Sequence, residues 1–320
     1  MKARVWFVVP LALLTLITLS GCAPFSSPRF KAERNDEHIM SAHDVSLFNI
    51  RTSFGNIHVT GGDTTQCHVN ARIHTQAGST ERAQILAKDT KIILDKEDDQ
   101  LDLHVDKPSL RRGESVGVSF TIECPQNLIV DSETSYGNIH LNTFNGAVTA
   151  QTSFGNIDVD HITGPLALES SYGNIHGRNL DVPEIKAETT FANIDLQGNP
   201  QTYPLARQLS CTTSYGNINC RDLSAETFQI KTSFANASLQ CGPLTPANAQ
   251  IKINSSYGNV TCDLQDNYTG SVNLSTSFGD IHTAMDVLTR GVHKDRLRGS
   301  IGQGQGKCEC HSSFGNVYLK

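Results

Sequence analysis

A chain of 320 residues with 38% apolar and 18% charged content can bury a sizeable core, and this composition argues against wholesale disorder. The formal charge is −6, and it becomes −8 once Lys2 and Arg4 are removed with a cleaved leader, so the body is mildly acidic. Nucleic acid, which is held through basic patches, is therefore disfavoured as a partner.

In chain order, the first element is the apolar stretch "VWFVVPLALLTLITLS", which follows Lys2 and Arg4, is shorter than a membrane span, and runs into "LSGC". That ending resembles the lipobox of bacterial lipoproteins. The resemblance implies that residues 1–21 are a signal peptide, that Cys22 becomes the first residue, and that its thiol carries acyl chains that tether the protein to a membrane. Ala23, where an inner-membrane protein would carry Asp, implies the outer membrane of a diderm bacterium. A plain secretory leader is the alternative. Of nine cysteines, Cys22 is spoken for and eight remain, an even number that suits an exported chain in an oxidising space. Residues 22–44 lack apolar periodicity and read as a flexible tether.

Residues 45–60 carry the first copy of a repeated pattern, and residues 61–125 then differ in character. "CHVNARI" alternates through Cys67, Val69, Ala71 and Ile73. "STERAQILAKDTKII" offers Ser79 as an N-cap before helix-spaced Ala83, Ile85 and Leu86. "LDLHV" and "VGVSFTIEC" alternate again. The expectation is an inserted strand-helix-strand-strand unit, with Cys67 and Cys124 at its two ends as the first choice for a disulfide.

From residue 126 to 320 the repeat rules, as in "TSFGNIDV" at 152–159, with ten copies in the chain as a whole. Its aromatic residue is Phe54, Tyr136, Phe154, Tyr172, Phe191, Tyr215, Phe234, Tyr257, Phe278 and Phe314 in turn, Phe and Tyr alternating up to Phe278. The positions two, four and six before it are hydroxyl-bearing or apolar, those between are mostly polar, and an apolar residue, nearly always Ile or Val, follows three after. This is the period of two of strands with one buried and one wet face. Gly or Ala and then Asn mark the corner, with Asn138, Asn156, Asn174, Asn193, Asn217 and Asn259 among the copies. A two-strand unit of about 20 residues cannot bury its apolar face alone. The fold class is therefore all-β, a β-solenoid of about ten coils stacked at about 4.8 Å, on the order of 50 Å long, with a small α+β insertion near the N-terminus.

Stacking turns the motif into ladders of like side chains. Asn tolerates the turn and can bond its neighbour in the next coil, so the corner needs no ligand to account for it. Parity places the aromatic rings inward, as a buried stack rather than an exposed platform for sugars. Four residues after the ring the chain points outward through His140, Asp158, His176 and Asp195, a column that is a weak metal candidate; no metal and no cofactor is assigned. Cys211, Cys220, Cys262, Cys308 and Cys310 fall mostly on inward positions, and Cys241 lies between the coils of Cys220 and Cys262, so pairing stays open. "CECH" at 308–311 lacks a second ligand pair at zinc spacing. "GSIGQGQG" at 299–306 lacks the ending of a phosphate loop and reads as a flexible loop. The last coil, ending at Lys320, has no obvious cap and is expected to expose strand edges, which a partner or a second copy covers unless the loop around Gly299 folds across them.

"GNIHVTGGDTTQCHVNARI", "VSFTIECPQNLIVDS" and the serial T-S-aromatic-Gly-Asn-Ile motif together resemble the bacterial "putative adhesin" repeat domain family, of unassigned function, over residues 45–320. The resemblance implies a β-solenoid at the cell surface or envelope. The leading expectation is a non-enzymatic, lipid-anchored envelope protein, an adhesin or scaffold whose partner is a protein or glycan. A carbohydrate-active β-helix enzyme, in which Asp158 and Asp160 would be the acids, and a glycan-binding module are the alternatives.

Overall fold

The repeats wind into coils that contribute one strand to each of two sheets. The computed structural model describes residues 29–202 and 205–320, so the expected leader, its expected cleavage point and Cys22 lie outside the described residues. Among the described residues no helix is long and apolar enough to cross a membrane.

Sheet I takes the strand before each corner, such as Val148–Thr152, and sheet II the strand after it, such as Ile157–Ile162. Neighbouring coils pair in parallel and in register, Val148 between Val130 and Leu166, Ile157 between Ile139 and Ile175. Register is pinned because a one-residue slip would turn every apolar side chain to solvent. The long strand Ile218–Lys231 serves both sheets, its first part in sheet II and its second in sheet I. The inward rows from the two sheets meet in one core that includes Ile157, Ile175, Leu168, Phe228 and Ile253, all essentially buried.

The coils are not stacked in chain order. Gly306–Ser312 inserts between Gln250–Ser255 and Gly270–Thr276, and Val317–Leu319 inserts between Val260–Asp263 and Ile281–Thr283. The C-terminal coil is thus the penultimate one in space and has a neighbour on each side. The open C-terminal edge expected at Lys320 does not exist; the coil at that end is the one carrying Phe278. Its sheet I strand is covered by the hairpin Leu288–His293 and Arg296–Ile301, which pairs antiparallel. The expected loop at 299–306 is accordingly strand up to Ile301, a turn, and strand again from Gly306.

The other end is covered by the insertion. Gln66–Ala77 pairs antiparallel with Ser115–Pro125, which joins sheet II beside Ile57–Gly62. The helix runs Thr80–Asp89 with Ser79 as its N-cap, and it buries Ala83, Leu86 and Ala87 while Ile85 stays exposed. It ends sooner than "STERAQILAKDTKII" suggested: Lys91–Glu97 is a fourth strand, paired antiparallel with Gln100–Asp106.

The expected tether is also partly ordered. Phe30–Ser41 is a strand paired antiparallel with Gln66–Ala77 along its whole length. Its apolar signal is weak because its half-buried face carries Arg34. That guanidinium donates to the carbonyls of Ala87, Lys88 and Thr90 at 2.6–2.8 Å, satisfying the end of the helix.

Candidate functional site

The corner motif resolves into two interlocking sets of hydrogen bonds. The Thr or Ser two before the ring is buried and donates to the carbonyl one after the ring in the preceding coil: Thr152 to Gly137 at 3.0 Å, Ser170 to Gly155 at 3.0 Å, Thr232 to Gly216 at 3.0 Å. The Asn side chain accepts the backbone N–H of the Asn in the next coil. The chain of such bonds, at 2.8–3.0 Å, runs from Asn56 through Asn138, Asn156, Asn174, Asn193, Asn217, Asn236, Asn259 and Asn316 to Asp280. Gly is required at most corners by proximity rather than by a positive φ. A Cβ on Gly155 would sit 1.9 Å from the Gly137 carbonyl oxygen.

Between these two sets the rings point out. The expectation of a buried stack fails: Phe154 is 50% exposed, Tyr172 53% and Phe278 70%. The period of two ends at the Thr, the last inward residue of the strand, and the chain then bends through the next two residues, so parity cannot be carried across the corner. The rings form one column in the spatial order of the coils, from Phe54 to Tyr257, then Phe314, then Phe278. Centroids are 4.7–5.0 Å apart and planes within 7° of parallel, so the column runs about 43 Å. Because Phe314 takes the place next to Tyr257, Phe and Tyr alternate in space until the final pair.

The chemistry follows from the stacking. Each ring's faces are against its neighbours, so the column offers ring edges and tyrosine hydroxyls, not open faces for sugar rings. At one end Lys107 covers Phe54, its ammonium 5.4 Å from the ring centroid, and burial lowers that lysine's pKa. At the other end Phe278 is more open than any other ring of the column. Serines and asparagines flank most of the column, so the corner is an apolar ridge bordered by neutral polar groups.

The outward column on sheet II is a different kind of surface. His140 stacks on His58 with centroids 4.6 Å apart, and burial, together with the neighbouring His140, lowers the His58 pKa. His176 Nδ1 lies 3.2 Å from Asp158, and Arg221 donates to Asp195 at 3.0 Å. Asp160 accepts from Asn179 at 2.8 Å. Asp158 with His176 and Asp195 with Arg221 are thus engaged pairwise along the sheet, lining in part a shallow groove of about 330 Å³. Among the described residues, the grouping that brings three possible metal ligands together is Cys262, Cys308 and Cys310 instead. Sequence reasoning missed it because the ligands sit 46 residues apart and meet only through the inserted C-terminal coil.

All eight cysteines from Cys67 onward are buried thiols. The register that sets His68 against Glu123 puts Cys67 opposite Cys124, yet the expected disulfide is not formed in this structure. Cys241 is likewise unpaired, and Cys211 and Cys220 face one another at 3.7 Å.

Comparison with known proteins gives one family. Residues 142–320 match the model of the family described as Toastrack DUF4097. No curated protein matches the chain. Among solved structures it is similar to a "putative adhesin" from Bacteroides fragilis, with 14% identity, 90% of this chain and 97% of that chain covered, and a TM-score of 0.35. A "putative cell adhesion protein" from Clostridium sporogenes is 10% identical over 90% and 99% of the two chains, with a TM-score of 0.25. A "putative lipid binding protein" from Parabacteroides distasonis is 11% identical over 90% and 96%, with a TM-score of 0.36.

Proposed function

The chain belongs to the Toastrack DUF4097 family, and from that premise we propose that it is a non-enzymatic cell-envelope protein, lipid-anchored through Cys22, whose solenoid is a rigid body presenting an interaction surface. The observation that carries this reading is the aromatic ridge. Hydrogen bonds and core packing account for the Thr, Gly, Asn and Ile of the motif, but they do not require ten half-exposed rings in one column. Contiguous apolar surface of this kind is characteristic of protein contact sites. Its rigidity lowers the ordering cost of binding, since each ring is already fixed by its neighbours.

The lipobox-like "LSGC" followed by Ala23 supports an adhesin or scaffold role at the outer membrane. A partner engages the ridge through ring edges and the hydroxyls of Tyr136, Tyr172, Tyr215 and Tyr257, which favours a protein over a glycan held on ring faces. The enzymatic alternative is less well supported, because Asp158 and Asp160 are each occupied by a neighbouring donor.

The test uses delipidated mature protein on intact bacterial cells and on a glycan array. Saturable binding to cells with no reproducible glycan signal is expected. Cleavage of a polysaccharide that is lost in Asp158→Asn would overturn the non-enzymatic reading, and reproducible array binding would favour the glycan module.

A further inference from the structure

Six of the buried thiols lie in the C-terminal part of the solenoid core, and three of them converge from two sheets. Cys262 projects inward from Val260–Asp263 in sheet II, while Cys308 and Cys310 project inward from Gly306–Ser312 in sheet I. Their sulfur atoms all lie within 4.8 Å of one another, and Cys308 and Cys310 are 3.8 Å apart. Each residue is at most 1% exposed.

Three sulfurs in a plane around a metal, each at about 2.3 Å, stand about 4.0 Å apart. The observed trio is within an ångström of that arrangement before any metal enters. The donor set is sulfur alone: His311 faces away and shares a hydrogen bond with Ser275 at 2.9 Å, and Glu309 pairs with Lys307 at 2.8 Å. Structural zinc sites want four ligands, and among the described residues no fourth His, Cys, Asp or Glu joins the trio. A soft cation that accepts three thiolates fits better.

We propose that Cys262, Cys308 and Cys310 form a buried three-thiolate site for a soft monovalent cation, with copper(I) as the ion of matching chemistry. Binding exchanges thiol protons, released to solvent, for the metal; no electron is transferred. Two of the three ligands sit on the strand that inserts between coils distant from it in sequence, so the site exists only when that strand is seated. The metal therefore acts as a clasp on the C-terminal coil.

The experiment is anaerobic titration of the reduced mature protein with copper(I), followed by desalting, metal analysis, ultraviolet spectroscopy and limited proteolysis. The expected result is one equivalent retained, a sulfur-to-copper charge-transfer band, and at least tenfold slower cleavage of the C-terminal coil. Cys308→Ser and Cys310→Ser should lose retention, whereas Cys211→Ala, outside the trio, should keep it. If the serine variants do not fold, peptide mapping of wild-type protein decides: copper(I) must slow alkylation of Cys262, Cys308 and Cys310 more than that of Cys211 and Cys220. Retention below half an equivalent overturns the proposal, as does equal protection of all five thiols. Stoichiometric zinc retention without copper(I) retention would also overturn it, and so would a disulfide joining two of the trio in protein isolated from cells.

Discussion

Thr232→Val is the sharpest probe of how the coils are held. Thr232 is 2% exposed and its hydroxyl donates to the Gly216 carbonyl of the preceding coil at 3.0 Å. Valine keeps the shape and removes the donor, leaving a buried carbonyl without that bond, at a cost of about 1–3 kcal/mol. The methyl that replaces the hydroxyl returns up to about 0.8 kcal/mol through apolar burial. With the full return, the net expectation is a loss of about 0.2–2 kcal/mol, centred a little above 1. Thr232→Ser keeps the bond and gives up one methyl, about 0.8 kcal/mol. Serine already occupies the equivalent place in the coils of Ser170, Ser255 and Ser312, with the same bond at 2.7–3.0 Å. Guanidinium unfolding followed by far-ultraviolet circular dichroism should rank wild type above Ser above Val. A Val variant as stable as wild type, or more stable than the Ser variant, would refute the view that these hydroxyl-to-carbonyl bonds tie coil to coil.

Three other perturbations test the account. Tyr172→Ala removes a ring stacked on Phe154 and Phe191 at 4.8 Å each and should cost about 1–3 kcal/mol, read as a lowered unfolding midpoint, while Tyr172→Phe should change it little. The Arg82 guanidinium and the Arg111 backbone N–H hold the Glu114 carboxyl down at about 2. Because that is below its unfolded value, the pair's contribution is complete above the ordinary carboxylate range and is lost as pH falls from about 4.5 towards 2. Glu114→Gln should flatten that limb of the stability-against-pH curve, and an unchanged acid limb would count against it. Ending the chain after Gln305 removes the inserted coil and leaves the facing edges of Gln250–Ser255 and Gly270–Thr276 unpaired. The truncated protein should aggregate or lose its cooperative transition, whereas a C-terminal coil at the free end of the stack would be shed with little effect.

Much of the fold was legible because stacking writes itself into the sequence as a period. The Ile residues at 139, 157, 175, 194 and 218 and the Thr or Ser two before each ring can be placed on the inward face from spacing alone, and they are buried there in the fold. The rings could not, since the chain leaves the strand between the Thr and the ring. Coil order was equally hidden. Every copy carries the same motif, so nothing in the C-terminal copy says whether its neighbour is the coil of Tyr257 or the coil of Phe278. Phe30–Ser41 reads as a tether in the sequence because Arg34 and Asp36 occupy its half-buried face, where Arg34 is justified by the helix carbonyls it meets. The thiol trio needed both the coil order and the distance between sheets, neither of which is local in sequence.

The central claim, that the ridge is the surface by which this protein meets its partner, is most directly tested by photo-crosslinking in living cells. A benzophenone side chain replaces Tyr136, Tyr172 or Tyr215 on the ridge, or Glu169 or Lys231 on the outward face of sheet I, in the full-length protein. The account predicts discrete adducts of one common mass from the ridge positions and none from the sheet positions. Adducts from the sheet positions alone, or none from any ridge position, would contradict it.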